Sequence, residues 1–172
     1  MKDVIMEYNQ SYEVTIHKVK SNEDIKFIQE CIERDDFKKY IDPNMNSIKL
    51  KEYFILCDNR NEYIGIFCSN IATETGIRRA YPNLYLYRRM TRLSLTSMQA
   101  VVKYLFEVEK VDKIICLVYS INKPMASIMN RGPFYLEGEL KYSYKYNDII
   151  TNLLVYSMLK TEYFNLIREY TI

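Results

Sequence analysis

The sequence predicts one domain of the α+β (α/β) class, in which helices flank a sheet. Three patterns carry this prediction. Residues 12–19 alternate apolar and polar positions, as in a half-buried strand. Five apolar residues later recur at helical spacing: Met98, Val101, Val102, Leu105 and Phe106. The continuous apolar run of residues 114–119 is typical of a strand that is covered on both faces. Strands and helices therefore alternate along the chain.

Size and composition favour a single soluble domain over residues 1–172. No apolar run approaches the ~18 residues of a membrane span, and the first residues lack a signal-peptide core. We therefore expect no membrane partner and a cytoplasmic location. The four cysteines are scattered, and His17 is the only histidine. This spacing predicts buried or half-buried thiols in a reducing compartment and no metal site.

The first half of the chain supplies the first helix and several strands. Ser21 and Asp24 have capping-box spacing, and Ile25, Ile28 and Ile32 behind them share one helical face, so a helix is predicted that reaches Tyr40 and ends before Pro43. Residues 53–57 and 63–68 are apolar runs joined by a loop-forming segment, which predicts a hairpin. Residues 83–88 alternate Leu and Tyr and predict a fourth strand.

The second half begins with a helix predicted to open at Ser94. Residues 114–119 follow as a strand, and Pro124 behind Asn122 predicts the start of a short helix. Residues 140–146 and 153–159 form the last two predicted strands, separated by an Asn-Asp turn. The predicted order is β-α-(α)-β-β-β-α-β-α-β-β.

Positive charge is concentrated in residues 75–106, which contain no acidic residue. This segment carries Arg78, Arg79, Arg88, Arg89, Arg92 and Lys103, so the other residues sum to about −4 against a whole-chain charge of +2. Arginines beside a helix N-terminus are suited to a phosphorylated ligand, because both direct N–H groups at the anion. A solvated basic face is the alternative.

Three motifs carry a family resemblance. Residues 122–134, NKPMASIMNRGPF, resemble N-x-x-S-x-x-L-L-E-K-x-G-F, and residues 134–138, FYLEG, resemble its continuation F-x-x-E-G. Residues 155–164, VYSMLKTEYF, resemble the ending Y-S-x-L-x-x-E-F. Together with the element order, these motifs resemble the GNAT superfamily of acyl-CoA-dependent N-acetyltransferases over residues 14–164. The likeness is greatest to the ribosomal-protein N-terminal acetyltransferase branch.

The resemblance implies a mixed, mostly antiparallel twisted sheet of about six to seven strands. It implies transfer of an acetyl group from acetyl-CoA, as cosubstrate, to an amine that is a protein N-terminus or a small amine. Backbone groups near Leu86 to Met90 would hold the cofactor arm and the thioester carbonyl, and Arg88, Arg89 and Arg92 would face the phosphates. Asn122 would contact the arm or a water, or would cap the following helix.

The chain also departs from the family pattern. The pyrophosphate loop, Q/R-x-x-G-x-G/A, falls on residues 92–97, where Ser97 is small but Leu95 replaces a glycine. That glycine normally lets the backbone approach the diphosphate closely. The tyrosine that many members use as a general acid would fall at Met129, which cannot donate a proton.

Two residues are candidates for proton transfer. By resemblance Glu74, in the loop before the fourth strand, is the best-placed base, although it could be an ordinary exposed acid. Tyr87 could relay a proton through water or simply pack. The alternative function is a catalytically silent GNAT-fold protein that binds or regulates a partner, possibly nucleic acid. The chain is expected to be a monomer or a homodimer.

Overall fold

The computed structural model describes residues 13–40, 52–87, 91–146 and 148–169, without the side chains of Lys39, Tyr40, Thr91, Arg92, Tyr146 and Glu169. The strands are β1 Thr15–Lys18, β2 Phe54–Cys57, β3 Tyr63–Glu74, β4 Ile77–Leu86, β5 Lys113–Tyr119, β6 Tyr135–Tyr146 and β7 Ile149–Leu159. The helices are α1 Asn22–Glu33, α2 Asp35–Tyr40, α3 Thr91–Lys103, α4 Lys123–Arg131 and α5 Lys160–Glu169, and a π-helical turn, Tyr104–Val108, continues α3.

The strands form one seven-stranded sheet in the order β1-β2-β3-β4-β5-β7-β6. Strands β4 and β5 pair in parallel through Arg79↔Lys113 and Ala80↔Ile114. The pairs β1–β2, β2–β3, β5–β7 and β6–β7 are antiparallel. The predicted α+β class, with a mixed and mostly antiparallel sheet flanked by helices, is confirmed.

The described chain forms two compact units, and β3 and β4 contribute to both. The first unit contains Asn70–Tyr81 and residues 105–169, with buried residues that include Phe106, Ile114, Cys116, Met129 and Tyr156. The second contains residues 13–69 and Pro82–Tyr104, and its core includes Phe27, Ile28, Cys31, Ile55, Ile66 and Tyr85. The single domain over residues 1–172 stays a prediction. All four cysteines are free and buried, as expected.

The first helical region is two helices instead of one. The capping box is confirmed, since the Asp24 N–H donates to Ser21 Oγ at 3.1 Å and Asp24 Oδ2 accepts from the Ser21 N–H at 3.0 Å. The single helix to Tyr40 is wrong, because Arg34 has an extended backbone and caps α1. Helix α2 then starts with two aspartates, which favour a new N-terminus through the helix dipole.

The predicted hairpin of β2 and β3 is confirmed, but β3 and β4 are longer than the patterns predicted and form a second hairpin. Strand β3 continues past Cys68 to Glu74, and β4 begins at Ile77 instead of Asn83. The two-residue turn Thr75-Gly76 has φ values of +53° and +81°. Two left-handed residues match the twist of a tight hairpin, and glycine adopts this conformation without a steric penalty.

Later elements also differ from the predicted pattern. Strand β5 is not covered on both faces, since Ile114, Cys116 and Val118 are buried whereas Leu117 is 49% exposed. Strand β6 begins at Tyr135 instead of Leu140. Helix α5 was not predicted, because it continues β7 without an intervening turn residue.

Candidate active site

Glu74 lies at the end of β3, beside the hairpin turn, and not in a loop. Its carboxylate accepts a hydrogen bond from Arg79 Nη1 at 2.5 Å, and the Glu74 side chain is 59% exposed. The carboxylate therefore already has a hydrogen-bond partner on the neighbouring strand. This geometry fits a cross-strand ion pair of the hairpin.

Tyr87 directly follows β4, and its N–H donates to the Ile64 carbonyl at 2.8 Å. The ring centroids of Tyr87 and Phe27 are 5.5 Å apart, and the Arg34 guanidinium lies 4.8 Å from the Tyr87 ring centroid. The ring is therefore held by aromatic and cation–π contacts. Its edge remains accessible, since Tyr87 is 37% exposed.

Leu86 ends β4 beside a close approach of two strands. A Cβ atom added to Gly65 would collide with the Tyr85 carbonyl oxygen and would lie 2.9 Å from Leu86 Cδ2. Only glycine permits this separation without displacement of β4. Gly65 thus positions the end of β4, and the sequence patterns did not single it out.

The basic segment is partly neutralised. The Arg78 guanidinium pairs with Glu109 at 3.4 Å, and the backbone N–H of Arg78 donates to Asp112 Oδ2 at 2.9 Å. Arg79 pairs with Glu74. Glu109 and Asp112 are more than 30 residues from Arg78 in the chain, whereas Glu74 directly precedes the acid-free segment. Two of its six cations are therefore paired with acids of the same fold.

The predicted pyrophosphate loop is helical. Helix α3 begins at Thr91, so residues 92–97 form its first turns, whereas the helix was predicted to open at Ser94. Ser97 is fully buried, and its Oγ has no hydrogen-bond partner in the described part of the chain. Leu95 is 42% exposed. Arg92 lies in α3, but its side chain is outside the described set, and Arg88 and Arg89 lie outside the described residues.

Asn122 is the N-cap of α4. Its Oδ1 accepts a hydrogen bond from the Met125 N–H at 3.3 Å. Capping is one of the two roles that the sequence predicted for Asn122, the other being a contact with the cofactor arm or a water. Met129, on the same helix, is only 2% exposed. A tyrosine in its place would enter a packed core.

An acidic depression of about 470 Å³ lies in the second unit, and no sequence pattern pointed to it. Its seven lining residues are Glu23, Phe27, Glu30, Asn61, Glu62, Tyr63 and Tyr87, none of which is basic. Three carboxylates beside aromatic rings favour a cation. Glu23, Phe27 and Glu30 share one helical face in the sequence, but only the fold brings Glu62 and Tyr87 to them.

Beside this depression, Asp24 accepts hydrogen bonds from the Tyr63 hydroxyl at 2.7 Å and the Lys20 N–H at 2.8 Å. His17 Nε2 lies 3.4 Å from Asp24 Oδ1, and His17 Nδ1 lies 3.9 Å from Cys57 Sγ. Burial raises the pKa of the Cys57 thiol to about 11. A thiol that stays protonated is a poor nucleophile, so this row of groups is structural.

Two further features concern the described residues only. No group of three His, Cys, Asp or Glu side chains there is arranged to hold a metal ion. None of the helices in those ranges is both long and apolar enough to cross a membrane.

Comparisons with known proteins give a fold but no sequence match. No protein-family model and no curated protein sequence matches the chain. Spermidine N-acetyltransferase from Vibrio cholerae, solved with CoA and spermine, matches with a TM-score of 0.74 at 16% identity, over 88% of this chain and 98% of that one. A GNAT-family acetyltransferase from Bacillus anthracis matches with a TM-score of 0.69 at 18% identity, over 87% and 96%.

A chimera of the Vibrio cholerae enzyme and hSSAT matches with a TM-score of 0.72 at 16% identity, over 89% of this chain and 99% of that one. The chain therefore has the fold of the GNAT acetyltransferases. At these identities the likeness concerns the fold, and the particular activity has to be argued from this chain's own residues.

Proposed function

We propose that this protein is an acyl-CoA-dependent N-acetyltransferase that transfers an acetyl group from acetyl-CoA to an amine. The observation that carries the proposal is the GNAT fold over nearly nine-tenths of the chain, with β4 ending at Leu86 where the family holds the cofactor arm. The amine nitrogen would attack the thioester carbonyl carbon, and the C–S bond would break. The leaving thiolate would take up a proton and become a thiol, while the nitrogen would lose one as the amide forms. The amine must first lose a proton, because an ammonium has no lone pair.

The acceptor is proposed to be a small polycationic amine bound in the acidic depression. Tyr87 lines the depression and directly follows Leu86, so the depression adjoins the expected position of the cofactor arm. The three carboxylates of Glu23, Glu30 and Glu62 complement an amine of several positive charges. The Vibrio cholerae neighbour in complex with spermine supports this acceptor class.

A protein N-terminus is the other acceptor, supported by the motif of residues 155–164 that resembles the ribosomal-protein branch. The two acceptors differ in charge. A polyamine brings several cations to the depression, whereas an N-terminal peptide brings one.

The cofactor half of the proposal is tested by calorimetric titration with acetyl-CoA. We expect binding, and we expect Arg92→Ala to weaken it by about 1.5–3 kcal/mol if Arg92 faces a phosphate. Lys103→Ala, at the other end of α3, is the matched control and should leave affinity unchanged. Unchanged affinity in Arg92→Ala would remove that residue from the site.

The acceptor half is tested by thiol release with spermidine and with N-terminal peptides. Glu23→Gln and Glu30→Gln should each raise KM for spermidine about two- to fivefold with kcat unchanged, the range for one exposed ion pair. Glu33→Gln is the control, since Glu33 belongs to α1 but does not line the depression. Equal KM values in all three variants would exclude the depression as the acceptor site.

A catalytically silent GNAT-fold protein is the second candidate. The specific observation in its favour is that helix α3 runs through the positions of the glycine loop, with Leu95 in place of a glycine and Ser97 buried. Absence of acetyl-CoA binding by the folded protein would favour this candidate. Binding without thiol release across a broad amine panel would favour it also.

A further inference from the structure

A bidentate ion pair fixes the junction of α1 and α2 in the second unit. Arg34, the residue that caps α1, donates to Asp36 twice, from Nε to Oδ1 at 3.0 Å and from Nη2 to Oδ2 at 3.4 Å. Two parallel N–H···O bonds hold the plane of a guanidinium as well as its position. The Arg34 side chain is thus oriented, although it is 42% exposed.

The carboxylate end of this pair is anchored to strand β4. The Tyr85 hydroxyl donates to Asp36 Oδ1 at 2.8 Å. Tyr85 is buried, and its ring meets Phe37 of α2 edge-on with the centroids 5.1 Å apart. Most exposed ion pairs are loosely ordered and contribute little to stability. This pair differs, because a buried residue of the sheet fixes its acid.

The guanidinium also lies over the ring of Tyr87, with Cζ 4.8 Å from the ring centroid. Tyr87 directly continues β4, since its N–H donates to the Ile64 carbonyl at 2.8 Å. The Arg34 side chain therefore joins the α1–α2 junction to two tyrosines of this strand. It reaches Tyr85 through Asp36 and Tyr87 by a cation–π contact.

Tyr87 is the ring of the acidic depression that most needs such a hold. Of the other two rings in the lining, Phe27 is buried and Tyr63 is bonded through its hydroxyl to Asp24. Tyr87 is 37% exposed, and its contact with Phe27 is tilted, at 5.5 Å and 59°. A cation stacked on one face limits the rotation of such a ring and leaves its other face and its edge for a ligand.

We propose that Arg34 is a positioning residue of the acceptor site, which holds the Tyr87 ring against Phe27 as a wall of the acidic depression. This role rests on the proposed function, in which the depression receives the amine. Arg34 does not line the depression, so it acts on the amine through Tyr87. Asp36 and Tyr85 act one step further away, because they fix the guanidinium that fixes the ring.

The charge of Arg34 by itself predicts the opposite effect on a cationic amine. A guanidinium beside an acidic depression repels a cation, so its removal should tighten amine binding if charge alone decided the outcome. If Arg34 positions Tyr87, its removal should weaken binding instead. The direction in which KM changes in Arg34→Met therefore separates the two roles.

Thiol release with spermidine and acetyl-CoA tests the role on the full chain. Arg34→Met should raise KM for spermidine about two- to fivefold with kcat unchanged, the change expected from one exposed cation–π contact. Arg34→Lys should restore part of the loss, because an ammonium can lie over the ring but cannot bind Asp36 bidentately. Tyr85→Phe should raise KM by a smaller factor, since it removes one anchor of Asp36. Lys26→Met is the matched control, an exposed cation of α1 that does not line the depression, and its KM should stay the same or fall.

Two further measurements ask whether Arg34 acts through Tyr87. In a Tyr87→Leu background, Arg34→Met should raise KM no further, because the ring on which it acts is absent. The Arg34 Nε–H resonance in a nitrogen–proton correlation spectrum, assigned by its loss in Arg34→Lys, should shift in Tyr87→Leu because the ring current is removed. The same resonance should keep its position in Lys26→Met.

Three results would overturn the positioning role. One is a KM that is unchanged or lower in Arg34→Met, and another is an equal rise in KM with and without the Tyr87 ring. The third is an Arg34 Nε–H resonance that does not move in Tyr87→Leu. A parent chain that acetylates no amine would instead count against the proposed function, and the resonance would then decide by itself whether Arg34 holds Tyr87.

Discussion

At the scale of single residues, Asp24 is a buried acid held by several hydrogen bonds. Its burial opposes ionisation, but hydrogen bonds from the Lys20 N–H, the Tyr63 hydroxyl, the Ser21 N–H and the His17 ring outweigh that cost. The pKa of Asp24 therefore lies well below its usual value of 3.8. A carboxyl with a depressed folded-state pKa stabilises the fold above its unfolded-state pKa, and this contribution is lost as the pH falls below that value.

Asp24→Asn should lower the free energy of unfolding by about 1–3 kcal/mol at neutral pH, because it weakens the capping box and the Tyr63 bond. The difference from the parent should shrink as the pH falls below about 4. Urea unfolding at a series of pH values measures both effects. Glu23→Gln, in the same helical turn, is the control and should change stability by less than about 0.5 kcal/mol. A constant difference between Asp24→Asn and the parent at all pH values would contradict this account.

Glu74 and Tyr87 can be separated as catalytic or structural by one pair of variants. Glu74→Gln removes an exposed ion pair with Arg79, so it should cost at most about 1 kcal/mol of stability. Since the carboxylate is already paired, we expect kcat/KM to change little.

Tyr87→Phe keeps the ring contacts with Phe27 and Arg34, so a fall in kcat would indicate that the hydroxyl relays a proton and an unchanged kcat would indicate a packing role. Amine acetylation rates measure both, and a large fall in kcat/KM for Glu74→Gln would restore it as the base.

At the scale of elements, the spacing of β3 and β4 depends on a single glycine. Gly65→Ala would force its Cβ into the Tyr85 carbonyl, which is backbone and cannot move aside alone. We expect a loss of about 1–3 kcal/mol in the free energy of unfolding, as for other overpacked sites. Gly138→Ala in β6 is the control, because its new Cβ would meet no atom of the described residues within 4 Å beyond its chain neighbours. Equal stability of the two variants in urea would show that β4 adjusts freely.

Helix α3 changes what is expected of Leu95. Leu95→Gly should cost up to about 1 kcal/mol of stability, whereas Leu95→Ala should cost much less, because glycine is the poorer helix former. Since the helix spans this position, glycine should not recreate the family's open loop. We therefore expect the two variants to bind acetyl-CoA equally in calorimetry. Tighter binding by Leu95→Gly alone would indicate that the first turns of α3 open to receive the diphosphate.

At the scale of the whole molecule, the proposed reaction takes its proton transfer from the substrate or solvent, or through the Tyr87 hydroxyl. Met129 is buried and has no proton to donate, and the Glu74 carboxylate forms an ion pair with Arg79. A thiolate leaves readily, because a free thiol has a pKa near 8.5. Deprotonation of the amine should then limit the rate.

The proposed acetyltransferase should therefore show a kcat/KM that rises with pH towards the amine pKa, about 8 for an N-terminus and about 10 for an alkylamine. Thiol release at a series of pH values measures the profile. Glu74→Gln should follow the parent profile, as the matched control. A fall of kcat/KM as the pH rises from 7 would contradict an amine that reacts in its neutral form.

Local patterns in the sequence predicted much of the architecture. The capping box at Ser21 and Asp24, the amphipathic helix around Val101 and Val102, and the short helix after Asn122 all depend on neighbours within a few residues. Element ends were less predictable. The Thr75-Gly76 turn and the break at Arg34 depend on backbone conformations that many sequences can adopt.

The sequence alone determined the α+β class through its periodicity, because periodicity is a local property. Its motifs showed the resemblance to the GNAT superfamily, and that resemblance implied the mixed sheet. Tertiary structure alone decided which charged side chains lie close together. It pairs Arg78 with the distant Glu109, buries Ser97, and assembles the acidic depression from α1, the β2–β3 turn and Tyr87. These features join residues far apart in the chain, and such contacts form only once the strands have found their partners.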